Sequence, residues 1–182
     1  MRSTRVLIAM ALIASAVVVV GAGAVGANAP IDTYTSVTEA TVASVPGGSF
    51  PGPFNSVTTG TQQVTHRGRF SLAGTSATTF QVPIVFCTSP GGGGLGLMGT
   101  TVSNYTATHP DGSQVFSTST QTTCLRITGT PVPYTQISTS ATTGGTGKFA
   151  GICETGEANV YIDPTTTPTS IVAYGHVTSF TC

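Results

Sequence analysis

The chain has 182 residues, of which 7% are charged, and six Lys and Arg balance six Asp and Glu. So sparse a charge leaves no electrostatic footprint for nucleic acid, and without a basic amphipathic segment it leaves none for an anionic membrane. Hydrophobic content of 39% favours a packed core over disorder, and the length suits one domain.

In chain order, Arg2 and Arg5 precede an uncharged apolar run from Val6 to Val20, and Ala27-Asn28-Ala29 supplies the small residues that a signal peptidase needs. This predicts a signal peptide over 1–29, cleaved after Ala29, and a single mature domain over 30–182, or 182 − 29 = 153 residues. The alternative is a retained anchor, since the apolar run extends to Val25 and approaches spanning length. Gly21, Gly23 and Gly26 before a good cleavage site argue for removal and against a stable membrane span. Arg2 and Arg5 leave with the leader, so the mature charge is 4 − 6 = −2. The expected location is extracellular or the cell envelope.

Beyond the leader, short alternating runs rich in Thr, Val, Ile, Phe and Tyr are separated by Gly, Pro, Asn and Asp, the pattern of an all-β chain. Strands are predicted over 33–45, 61–73, 78–88, 100–109, 113–127, 134–141, 148–163 and 169–181. Eight strands suit a small antiparallel barrel, with a two-sheet β-sandwich as the alternative. Period two places Val64, His66, Gly68, Phe70 and Leu72 on the buried face of the second strand and Thr65, Arg67, Arg69 and Ser71 on the other. In the third, Phe80, Val82, Ile84 and Phe86 share a face, and Pro83 removes a ladder donor, which points to an edge or a bulge.

"PGGSFPGPFNS" (46–56) and "SPGGGGLGLMG" (89–99) are expected to be irregular loops. Leu95, Leu97 and Met98 in the second would either form a lid over a cavity or fold back on the rim. "HPDGSQ" (109–114) is a turn: Pro110 presets the first dihedral, Asp111 bonds backbone locally and Gly112 accepts a positive φ.

Cys87, Cys124, Cys153 and Cys182 are even in number in an exported chain, which predicts two disulfides. Their separations of 37, 29 and 29 residues contain no CxxC pair, so no metal is expected. Three connectivities are open; Cys87 with Cys124 and Cys153 with Cys182 is favoured, because each pair lies in neighbouring predicted strands.

The glycines of "TTGGTGKFAGICETGE" (142–157) run up to a lysine as a phosphate loop does. A P-loop needs Gly where Thr142 stands and Ser or Thr where Phe149 stands, followed by a helix; all three are missing and no cofactor is expected. As β structure, Gly144, Gly145 and Gly147 form a tight bend entering a strand, Phe149 plugs the core, and Gly151 is a kink inside that strand.

"GGTGKFAG" (144–151) resembles the signature hairpin of the allene oxide cyclase and dirigent superfamily of eight-stranded antiparallel barrels, in which a G-G-T-G-x-[FY]-x-G turn opens a long strand. "ATHPDGSQVFSTST" (107–120) is similar to the hairpin that lies upstream in bacterial secreted relatives. The resemblance implies a lumen able to take a small apolar molecule; plant members cyclise an allene oxide or direct radical coupling. It transfers no catalytic residue, because the matching positions are structural glycines and an aromatic.

No GxSxG or HExxH motif is present. The candidates for acid–base chemistry are His66, on the apolar face beside Val64 and Phe70, and Glu154, which shares a face with Ile152; the plainer reading of His66 is a satisfied core histidine. His176 alternates with Tyr174 and Phe180 and takes the same plain reading. Phe70, Phe86 and Phe149 are the candidate ligand contacts. Three functions follow: a non-catalytic exported barrel that binds a small apolar ligand or serves as an envelope interaction module, an isomerase or cyclase, and a purely structural surface protein.

Overall fold

The computed structural model describes residues 32–88 and 94–182. The predicted signal peptide and most of the glycine run before Leu95 lie outside the described residues. Among the described residues the strands are β1 (Asp32–Ser44), β2 (Phe54–Val64), β3 (Gly68–Phe80), β4 (Phe86–Thr88), β5 (Leu95–Thr108), β6 (Gln114–Arg126), β7 (Tyr134–Gly145), β8 (Ile152–Asp163) and β9 (Thr169–Thr181), with a 3₁₀ turn at Gly147–Phe149. Every pairing is antiparallel, and the order β3-β2-β1-β9-β8-β7-β6-β5 closes through β3 with β5. The fold is therefore a closed eight-stranded barrel rather than a sandwich, with β4 added on β5. Closure pairs the backbone groups that an open edge would expose, and eight strands leave an interior that side chains fill or one small ligand occupies.

The predicted 61–73 strand is two strands. Val64 pairs with Gly68 across a three-residue turn, in which His66 adopts φ 64° and Arg67 N–H donates to the Val64 carbonyl at 3.2 Å. Val64 and Phe70 both point inward, but from opposite sides of a reversal, and the turn between them breaks the alternation. Likewise β3 ends at Phe80; the chain bulges out over 81–85, held to both sides of Met98 by Gln81 N–H to its carbonyl at 3.1 Å and its N–H to Val85 O at 2.9 Å, and then pairs again as β4. Val82, Ile84 and Phe86 are exposed on this edge, with Phe86 58% exposed. Phe86 thus lies outside the barrel and not, as expected, at the cavity.

Two predicted loops are partly strand. Phe54–Ser56 belongs to β2, and Leu95–Gly99 opens β5, so Leu95, Leu97 and Met98 are ladder residues rather than a lid. Gly96 serves close packing here: a Cβ would stand 2.6 Å from Cys124 Sγ. The disulfides are Cys87–Cys124, which ties β4 to β6 across β5, and Cys153–Cys182, which fixes the C-terminal end to β8. Among the described residues no helix is long and apolar enough to cross a membrane.

The glycine stretch is architecture, with different boundaries from those predicted. Gly144 and Gly145 end β7 opposite Phe116 and Val115, and β8 opens at Ile152 rather than at 148, so Gly151 stands at the strand's entrance. Positive φ is needed at Gly147 (59°), the first residue of the 3₁₀ turn, and at Gly151 (74°), just beyond its end. The turn docks on the β5–β6 hairpin. Lys148 Nζ lies 3.0 Å from Asp111 Oδ2 and His109 Nδ1 lies 3.0 Å from Asp111 Oδ1; the Ser113 backbone N–H, then Lys148, hold the Asp111 carboxyl below the ordinary carboxylate range. Lys148 is a latch between two turns.

Candidate functional site: the barrel lumen

One end of the barrel is closed. Tyr34, Val64, Phe70, Ala107 and Phe149 form a buried cluster there, with the Phe70 and Phe149 rings 5.5 Å apart and His109 set edge-on to Phe70 at 5.3 Å. Of the three phenylalanines named as ligand contacts, Phe70 and Phe149 are packed into this floor, and Phe70 alone also lines the cavity above it.

Just above the floor lies an ion pair. Arg67 enters from the β2–β3 turn and donates to Glu154 Oε1, to Ser179 Oγ at 2.7 Å and to Tyr34 OH at 3.4 Å, with its guanidinium 4.3 Å from the centre of the Tyr34 ring. Thr142 Oγ1 donates to Glu154 Oε2 at 3.2 Å. Glu154 is buried and faces inward. His66 is exposed in the turn, so it is not the core histidine of the plainer reading, nor does it stand in the lumen as an acid–base partner for Glu154; Arg67, assigned to the outward face, takes that place. Strand alternation fails inside a turn, and a long side chain leaving one can bend back over the barrel end. His176 also lies exposed on the outer face, opposite Glu157 and Thr35.

Burial first, then the charge and hydrogen bond of Glu154, raise the Tyr34 pKa far above that of an ordinary phenol, against the opposing pull of Arg67. Burial raises Tyr134 as well. A raised folded-state pKa favours the neutral phenol, so its contribution to stability is complete below the unfolded value of about 10 and is lost as pH rises beyond it. A phenolate absorbance titration of the folded protein is expected to show Tyr34 and Tyr134 ionising above the ordinary phenol range. Ionisation of both near the ordinary value would contradict this burial.

Above the pair the lumen holds a cavity of about 190 Å³, larger than the ~150 Å³ that suffices for benzene. Its walls differ. Ser117 and Ser119 from β6 and Ser138 and Ser140 from β7 make one side; Val160 and Ile162 from β8 with Ile171 and Val177 from β9 make another. Toward the far end Gln136 Nε2 donates to Gln121 Oε1 at 2.8 Å. The chain matches no family model, and no curated protein or solved structure is similar to it.

Among the described residues the cavity wall carries one cation and one anion, Arg67 and Glu154, which satisfy each other. No group of three or more His, Cys, Asp or Glu able to hold a metal occurs among the described residues. The arrangement provides an enclosed space with an apolar side, a hydroxyl-lined side and a neutralised floor. The serine rows had no distinct signal in the sequence, because the outward positions beside them, Thr118 and Thr120, are small and polar too.

Proposed function

We propose that this is an exported barrel that binds a small, largely apolar molecule in its lumen, without catalysis. The observation that supports the reading most is the cavity above the Arg67–Glu154 pair, which has room for a ligand and an apolar wall to bury it against. The leader-like residues 1–29 and the two disulfides support export. A cyclase or isomerase is the second reading, favoured by a carboxylate placed at the lumen floor. Both oxygens of Glu154 are engaged, by Arg67 and by Thr142, which supports a structural over a proton-transferring role.

Native mass spectrometry of protein secreted by its own host, intact and then denatured, tests the proposal. The expected result is a stoichiometric extra mass that disappears on unfolding. A clean chain mass, together with no adduct when the folded protein meets an excess of a small hydrocarbon, would overturn it and favour a structural or partner-binding role.

A further inference from the structure

The two walls of the lumen bear on what kind of molecule fits between them. We infer that the lumen selects a neutral ligand with a hydroxyl or carbonyl group on an apolar body, anchored by Ser119 and Ser140. This rests on the lumen-binding reading and narrows it to a chemical class.

Ser119 and Ser140 are direct partners across the β6–β7 ladder, on its inward face. Ser119 is 7% exposed, and neither serine makes a side-chain hydrogen bond among the described residues. Other inward hydroxyls satisfy one another instead: Ser76 with Ser103, Thr78 with Thr101, and Thr101 with Thr123, each at 2.8 Å. On the strand wall across the lumen Thr58 is 3% exposed and its Oγ1 has no partner. Its neighbours in register, Val42 and Gly74, offer none.

A hydrocarbon filling this space would strip water from hydroxyls that the protein does not satisfy, and a buried polar group left unpaired is costly. A ligand hydroxyl or carbonyl removes that cost, and a site built to hydrogen-bond rejects the analogue that lacks the group. Charge is disfavoured for the opposite reason. Arg67 and Glu154 neutralise each other, so a carboxylate or ammonium would be desolvated without a counter-ion.

The test uses three probes of similar shape, methylcyclohexane, cyclohexanol and cyclohexanecarboxylate, with binding to the folded protein followed by NMR shifts of lumen residues. The inference expects cyclohexanol to bind about tenfold more tightly than methylcyclohexane, the carboxylate to leave the lumen shifts unchanged, and the S119A/S140A variant to lose the cyclohexanol preference while keeping methylcyclohexane binding. Serine to alanine removes the hydroxyls without orphaning a partner, so the variant keeps its fold. Methylcyclohexane binding as tightly as cyclohexanol, a preference that survives in S119A/S140A, or carboxylate binding in the lumen would overturn the inference and leave a lumen-binding protein. No lumen shift with any probe would overturn the lumen-binding reading too.

Discussion

Replacing Glu154 with alanine is expected to lower stability by about 3–5 kcal/mol, because it leaves a buried cation without its counter-ion. The Arg67 side chain is 15% exposed, and without Glu154 its remaining partners are two neutral hydroxyls, on Ser179 and Tyr34. Thr142 loses its acceptor as well. Glu154→Gln should fall between wild type and Glu154→Ala, since it keeps an acceptor but not the charge. The double replacement Arg67→Met with Glu154→Leu should recover most of the loss: bringing both charges out of water costs about as much as their attraction returns, so removing both is far cheaper than removing one. Urea unfolding of the four proteins reads this through the midpoint at constant slope. A Glu154→Ala loss below about 1 kcal/mol would mean that Arg67 swings from its turn into solvent, where an unpaired charge costs little.

The fold was more legible than the site, and the residues show why. Strand alternation needs only a period of two, and the positions that matter for closure, such as Val64, Phe70, Phe80 and Ala107, obey it. The HPDG hairpin was legible because its chemistry is local: Gly112 takes φ 87°, Ser113 N–H donates to Asp111 Oδ1 at 2.9 Å, and His109 N–H donates to Ser113 O at 2.9 Å. The favoured cysteine pairing is the one formed, but strand adjacency accounts for only half of it: Cys153 in β8 bonds Cys182 just past its neighbour β9, whereas Cys87 in β4 reaches Cys124 in β6 across the intervening β5. Boundaries were lost where a local signal met a tertiary demand. Thr65-His66-Arg67 carries no Gly, Pro or Asn, so its reversal looked like continued strand, and the error put His66 inside and Arg67 outside. Leu95–Gly99 looked like loop, yet ladder partners on both sides, Cys87 and Arg126 at Gly96, draw it into β5. The lumen was least legible, because β6 and β7 carry Ser and Thr on both faces and hydropathy cannot separate a hydroxyl-lined interior from a solvated exterior.

Replacing Phe149 with alanine should cost about 4–5 kcal/mol, near the upper end for a buried phenylalanine. The ring is 4% exposed and packs on Phe70, with Lys148 Nζ 5.2 Å and the Arg67 guanidinium 5.9 Å from its centre. It comes from the 3₁₀ turn rather than from a strand, and the positive-φ Gly147 and Gly151 on either side of Phe149 hold the turn in place. The strands around it are hydrogen-bonded into a closed ring, so they cannot collapse into the space the ring leaves. That rigidity puts the cost high, since the penalty rises with the cavity that remains. Phe86→Ala is the matched control: the same atoms are removed from a side chain 58% exposed on β4, where the expected change is about 0.5 kcal/mol. Chemical unfolding of the two variants side by side should therefore separate them severalfold in free energy. Equal losses would show that the glycine stretch does not hold its aromatic in the floor of the barrel, and that the closed end is sealed by Phe70 and Val64 alone.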